Sequence, residues 1–245
     1  MAVSINKVYQ KVLALANKEQ RGYITPQEFN LFADHAQQDI FEQYFYDLEQ
    51  RQRGVGSENS YEIISNIEEK ISSFEEHDDT IFGSSNPGVF NVSSQIPNIY
   101  RLGCVRIKRS GDLYRTAEKT NLKELSKYLN SPLAAPTSAT PIYTEYSSNN
   151  VPLKIKIYPA PISSDNVKVD YVRKPSTPNW TYIISSTGNA LFNSNQYTRD
   201  FDLHTSEESN LVIKILQYAG IAIKDFTLVQ AAAQNEISGI QQEKS

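Results

Sequence analysis

One cysteine, Cys104, occurs in the 245 residues. That count excludes an intrachain disulfide and any zinc site built on two or more thiolates. Cys104 lies in the apolar run Arg101-Leu-Gly-Cys-Val105 and reads as a small buried hydrophobe. No pattern around it supplies the base that a thiolate nucleophile needs. Histidine is nearly as scarce. His35, His77 and His204 are far apart in sequence, and none has a metal-ligand neighbour at a useful spacing.

Other signatures are missing as well. Arg51-Gln-Arg-Gly-Val-Gly56 has two glycines, but no Lys-Ser/Thr pair and no preceding strand, so it is not a phosphate loop. There is no Gly-x-Ser-x-Gly elbow. The carboxylates are many, but no pair is marked out as acid and base. Accordingly no catalytic, cofactor-binding or metal-binding residue is assigned, and no enzymatic activity is expected. The run Glu75-Glu-His-Asp-Asp79 has the donors for a divalent cation but reads as a solvated helix end. No apolar stretch reaches the length of a membrane span, and Met1-Ala-Val-Ser-Ile-Asn-Lys7 lacks the apolar centre of a signal peptide. Synthesis and folding in a cytoplasm are expected.

What is abundant is tyrosine: fifteen Tyr stand against one Trp and one Met. Tyrosine suits both strands and surfaces that bury against partners. Charge is unevenly spread. Residues 1–80 hold 7 Lys/Arg and 15 Asp/Glu, residues 81–200 hold 14 and 7, and residues 201–245 hold 3 and 6, within a net charge of −4. An acidic front, a basic middle and an acidic tail suit head-to-tail contact between copies, or a basic face near nucleic acid.

Residues 3–16 carry a rough helical stripe of Val3, Val8, Val12, Leu13 and Ala16, broken at Gly22. Thr25-Pro-Gln-Glu28 predicts a capping box. Behind it Phe29, Phe32, Ala33, Ala36, Ile40, Phe41, Tyr44, Phe45 and Leu48 form one face of a long helix with an acidic flank, ended by Arg51 to Gly56. A third helix is expected over about residues 58–76. The middle turns to strands: Ile99–Lys108, then Val151–Tyr158 and Val167–Val172, the last two read as antiparallel neighbours, with a short helix near Leu122–Leu129. Thr205-Ser-Glu-Glu208 predicts a second capping box before a helix stopped at Gly220, and a last helix is expected from Asp225. The expected fold is α+β: a helical bundle from residues 1–77 and 204–245, with residues 78–203 as an inserted antiparallel β-rich domain.

One stretch raises nucleic acid. Arg101, Arg106, Lys108, Arg109 and Arg115, with Tyr100 and Tyr114 interleaved, could follow a phosphate backbone. The plainer reading is an exposed strand edge or loop guarded by cations.

Three segments together resemble a phage family. Ser4-Ile-Asn-Lys-Val-Tyr9 and Gly22 to Gln37 resemble N-termini common among phage structural proteins. Ile157-Tyr-Pro-Ala-Pro161, Val169-Asp-Tyr-Val-Arg-Lys-Pro175 and Pro178-Asn-Trp180 are similar to the β region of head-to-tail connectors and tail-tube adaptors. Phe201 to Glu208, leading to Leu211–Ile221 and Ala231–Gln234, resembles the closing helices of ring proteins of crAss-like and other short-tailed phages. The resemblance implies a non-enzymatic virion protein of the head-to-tail connector, without cofactor. It implies a homo-oligomeric ring, usually a dodecamer, that binds the portal protein and neighbouring tail proteins. Double-stranded DNA would pass its lumen without sequence-specific contact, and the acidic helix residues Asp39, Glu42 and Asp47 would suit a wall that repels phosphate. A tail-tube or nozzle ring, a fibre-attachment adaptor and a DNA-binding accessory protein are the alternatives.

Overall fold

The computed structural model describes residues 2–18, 24–53, 59–84, 86–109, 113–148, 151–162, 166–186, 188–222, 234 and 238. Gly22, the glycines at 54 and 56, the expected helix from Asp225 and the polar tail after Gly239 lie outside the described residues. The fold mixes helices with a large curled sheet. In chain order the elements are β1 (Ala2–Val3), α1 (Ile5–Lys18), α2 (Pro26–Arg53), α3 (Asn59–Ser72), β2 (Glu75–Ile81), β3 (Val89–Asn91), α4 (Val92–Gln95), β4 (Ile99–Lys108), β5 (Tyr114–Lys119), α5 (Leu122–Asn130), β6 (Ile142–Ser148), β7 (Val151–Tyr158), β8 (Asn166–Arg173), β9 (Tyr182–Ile184), β10 (Ala190–Phe192), β11 (Phe201–His204) and α6 (Glu208–Ala222). They form two compact units, residues 1–73 with 175–245, and residues 74–174.

The first unit draws on both ends of the chain. The stripe of α2 buries Phe29, Ala33, Ala36, Ile40, Phe41 and Tyr44, and α2 packs on α3 and α6. Burial is what stabilises such helices, since propensity alone does little. The expected box at Thr25 is present: the Thr25 N–H donates to Glu28 Oε2 at 2.9 Å, and the Glu28 N–H donates to Thr25 Oγ1 at 3.3 Å. The box expected at Thr205 is not. Residues Thr205–Glu207 form a 3-10 turn capped by His204, whose Nδ1 accepts from the Ser206 N–H. Glu207 turns inward to Lys70 Nζ at 2.6 Å, and α6 starts one residue later. The first helix begins at Ile5 rather than Val3, because Ala2 and Val3 pair with β11.

The second unit is a seven-stranded sheet in the order β2-β8-β4-β5-β6-β7-β3. All its pairings are antiparallel except β5 with β6, which α5 connects. The sheet curls so that its first and last strands meet. Gly83, just past β2, bridges Phe90 of β3, and the Ser84 N–H donates to Val89 O at 2.8 Å. At this seam the Gln95 side chain takes the place of a strand neighbour for Phe82, accepting from its N–H at 2.7 Å and donating to its carbonyl at 2.9 Å. The concave side is filled by Ile81, Phe90, Val105, Ile107, Ala117, Tyr143, Ile155, Ile157, Val167 and Val169.

Three expectations need correction. The third helix stops at Ser72, and Glu75–Asp79 is an edge strand rather than a helix end. β7 and β8 are not neighbours: β7 lies between β6 and β3, and β8 between β2 and β4. The connection from Pro159 to residue 165 is long enough to carry the chain across the sheet, where a tight hairpin would force pairing. Residues 175–203, expected with the strands, group with the terminal helices. Trp180 is the reason: its N–H donates to Asn30 Oδ1 at 2.8 Å, its indole N–H donates to Asn6 Oδ1 at 3.2 Å, and its ring lies 3.9 Å from that of Tyr9.

Candidate interaction surface

Strand alternation decides what the curled sheet shows to solvent. Val105, Ile107, Val167, Val169, Ile155 and Ile157 point inward, so Arg106, Lys108, Lys168, Asp170, Lys154 and Lys156 project from the convex side. Tyr114 is drawn into this layer, since Lys108 is its cross-strand partner. Lys108 Nζ sits 5.7 Å and Lys168 Nζ 5.2 Å from the Tyr114 ring centre. Lys156 Nζ is likewise 5.2 Å from the ring of Tyr158. Each contact holds an ammonium over an aromatic face. The result is an ordered cationic surface with aromatic rims, suited to an acidic partner.

Its most structured point is Asp170. On one side, β2 places His77 and Asp78 opposite this single residue; on the other, β4 places Gly103 and Cys104 opposite it. Two bulges therefore flank one residue of the shared strand β8. Asp78 takes a positive φ of 65°, a conformation short polar side chains tolerate best. Its N–H donates to Asp170 Oδ1 at 3.0 Å. Arg106 Nη2 reaches Asp170 Oδ1 at 2.5 Å and Asp78 Oδ1 at 2.8 Å. Gly103 suits this close approach, because a Cβ at that position would lie 3.0 Å from the Asp170 carbonyl oxygen. Burial works to raise the Asp170 pKa. The hydrogen bonds from Asp78 and Arg106 and the charges of Arg106 and His77 outweigh it, so the carboxyl is held below the usual aspartate range. The hydrogen bond to Asp170 raises the Arg106 pKa further.

The first unit has the opposite character. Along α2 the exposed stripe carries Glu28, Asp39, Glu42 and Glu49, while Asp34 and Asp47 are half-buried. Asp39 accepts a hydrogen bond from the Tyr218 hydroxyl. In sequence terms the second unit holds 13 Lys/Arg and 10 Asp/Glu, and the first holds 11 and 18.

A search with protein-family models finds none that matches this chain, and a comparison with curated proteins finds no match.

The basic stretch picked out from sequence is divided by the fold. Arg106 is engaged by Asp170 and Asp78, and Arg109 donates to the Pro159 carbonyl at 3.0 Å. Arg115 pairs with Ile107 and so belongs to the opposite side from Lys108. The strand-edge half of the plainer reading fails, because β4 and β5 are interior strands, while Arg109 lies just past the end of β4. Cys104 is half-buried rather than buried, sits in the bulge, and has Sγ 4.0 Å from Thr116 Oγ1. Among the described residues no three His, Cys, Asp or Glu side chains are grouped to hold a metal ion. The double bulge went unread in the sequence. Its only local signal is the glycine at 103 inside a strand pattern.

Proposed function

We propose that this chain is a structural, non-enzymatic virion protein that forms a homo-oligomeric ring in the portal-to-tail connector of a short-tailed phage. The terminal helices would form a bundle carrying the β-rich domain as an insertion. Portal protein and neighbouring tail proteins would bind the two rims, and double-stranded DNA would pass the lumen. Twelve copies would suit the symmetry implied by the resemblance.

The observation that carries this reading is the segregation of charge between the two units. A net negative unit and a net positive unit in one chain favour contact between unlike units of neighbouring copies over contact between like ones. Repeated around an axis, such a heterologous contact closes into a ring. The acidic stripe of α2 also supports a lumen wall that does not retain phosphate, and of Asp39, Glu42 and Asp47 the first two are exposed and are the residues to reverse. Another tail ring or a fibre-attachment adaptor would use the same contact at a different place in the particle.

Negative-stain electron microscopy of the purified chain over a range of concentrations, with rotational averaging, tests the proposal. Closed rings of one symmetry that bind a portal assembly are expected. Monomers that ignore the portal but bind duplex DNA with a steep salt dependence would replace it with a DNA-binding accessory role.

A further inference from the structure

The β9–β10 hairpin has two open backbone edges. It pairs Tyr182 with Phe192, Ile183 with Leu191 and Ile184 with Ala190, and no third strand joins it among the described residues. The bonds at its two ends fix which backbone groups point inward. The Asn193 N–H donates to Thr181 O at 3.0 Å, and the Ser185 N–H donates to Asn189 O at 2.9 Å. In an antiparallel pair such bonds recur at every second residue, so Ile183 and Leu191 face each other with the set between. The N–H and C=O groups of Tyr182 and Ile184 therefore point outward from β9, and those of Ala190 and Phe192 outward from β10. Among the described residues nothing takes up a hydrogen bond with these outward groups.

Nothing in the composition of the hairpin guards those edges. Proteins commonly blunt an open edge with charge or proline, and residues 182–192 contain no Asp, Glu, Lys, Arg, His or Pro. Both faces are apolar. Ile183 is 52% and Leu191 53% exposed on one face, and Ile184 is 72% exposed on the other. The base is anchored, since the Trp180 ring lies 5.7 Å from that of Tyr182 and 5.9 Å from that of Phe192. A lone two-stranded hairpin is marginal in water, and further strands are what stabilise it.

We infer that hairpins of neighbouring copies pair edge to edge, β10 of one chain with β9 of the next, in one continuous antiparallel sheet. The occupant is a second copy because the hairpin is complementary to itself. Each copy brings one β9 edge and one β10 edge, so head-to-tail pairing uses both. Strand direction already alternates within the hairpin, so antiparallel order carries on across the junction. With no charge on the hairpin, copies meet without the like-charge repulsion that stops most edges from self-pairing. The register of the hairpin, continued across the junction, sets Phe192 against Tyr182 and Ala190 against Ile184 of the next copy. Leu191 then lies beside the next Ile183 on one face and Ala190 beside the next Ile184 on the other, so one added strand covers apolar groups on both faces. This inference rests on the ring reading above and names a junction that would build it.

Two variants of the full chain test it. Ile184→Pro deletes an outward N–H of β9, and Ala190→Pro deletes one of β10; an edge strand tolerates proline where the N–H faces away from its partner. Circular dichroism and the fluorescence of Trp180, the single tryptophan, check that fold and hairpin are retained. Each junction needs one intact β9 and one intact β10. By sedimentation velocity each variant alone should therefore associate at least about tenfold more weakly than the unmodified chain. Mixed one to one, the two should form a heterodimer and stop there. Hydrogen exchange on the unmodified chain reads the same junction without any substitution. The amides of Tyr182, Ile184, Ala190 and Phe192 should slow at least about tenfold on association.

A folded proline variant that associates normally would overturn the inference, as would a mixture that yields no heterodimer, or outward amides that gain no protection in the associated chain. If the proline variants unfold, the exchange result decides. An unmodified chain that stays monomeric throughout would also overturn it; such a monomer could still assemble on a portal, so the ring reading would survive. Conversely, edge-paired chains that grow into open filaments, with no closed ring and no portal binding, would uphold this inference and overturn the ring reading.

Discussion

The backbone N–H of Asp202 donates to the side-chain oxygen of Gln37 at 2.9 Å, across 165 positions of sequence. The other end of the same amide donates to the Ser176 carbonyl at 2.8 Å, and the Ser176 N–H donates to Asp202 Oδ2 at 2.8 Å. Three residues thus close a ring of hydrogen bonds around a fully buried glutamine on α2. Gln37→Leu would take the partner from one N–H and one carbonyl of half-buried residues. It should cost about 2–4 kcal/mol of stability, read as a lower midpoint in urea at an unchanged slope.

Gly88 has φ of 74°, and a Cβ there would meet the Ile157 carbonyl oxygen at 2.9 Å and the Ala160 Cβ at 3.1 Å. Its carbonyl also accepts from the Ile157 N–H at 2.9 Å, so the backbone has little room to withdraw. Gly88→Ala should destabilise the chain by about 2 kcal/mol or more. Gly188 has a similar φ of 82° with open space around it, and Gly188→Ala should cost about 1 kcal/mol, all of it from the backbone conformation. Parallel thermal melts of the two variants separate steric from conformational cost.

Asp170 should leave a mark at acid pH. A carboxyl whose folded pKa is depressed contributes stability that is complete above the unfolded value, about 3.9, and is lost as pH falls through the folded one. Asp170→Asn removes the charge that Arg106 faces but keeps an acceptor for the Asp78 N–H. It should lower stability at pH 7 by about 2 kcal/mol and flatten the fall below pH 4. Denaturation midpoints measured from pH 7 to pH 2 give both numbers.

Two tyrosines should titrate late. Burial first, then the hydrogen bond its hydroxyl donates to Asp79 at 2.7 Å, pushes Tyr171 up to about 12. Burial, with the charge of Glu145, does the same to Tyr143. A raised folded pKa contributes stability that is full below the unfolded value, about 10, and is lost as pH rises through 12. Absorbance titration should show phenols that ionise only near pH 12, and Tyr171→Phe should remove one of them.

Local chemistry made the backbone segments legible. Ile99–Lys108 is a strand over the expected residues, the Thr25 box caps α2, and α5 lies within one residue of its expected span, because alternation, capping and helical spacing act over a few positions. The capping box at Thr205 misled, because a pattern of four residues does not say that Lys70 draws Glu207 inward. The surface was legible only in part. Sequence marked the cationic middle of the chain, but whether Lys108, Lys168 and Tyr114 would share one layer depended on the pairing of β4 with β5 and β8.

By itself, then, the sequence determined the type of the long helices, of α5 and of the strands β4, β7 and β8, the scarcity of thiol and imidazole chemistry, and the uneven spread of charge. Tertiary structure decided which strands are neighbours, where the chain divides into units, that bulges on β2 and β4 converge on Asp170, and that the β9–β10 hairpin gains no third strand among the described residues. The physical reason is range. Propensity and capping energies depend on neighbours a few residues away, whereas pairing, burial and a carboxyl's pKa depend on groups that only the fold brings near, such as Asp78 beside Asp170 and Gln37 beside Asp202.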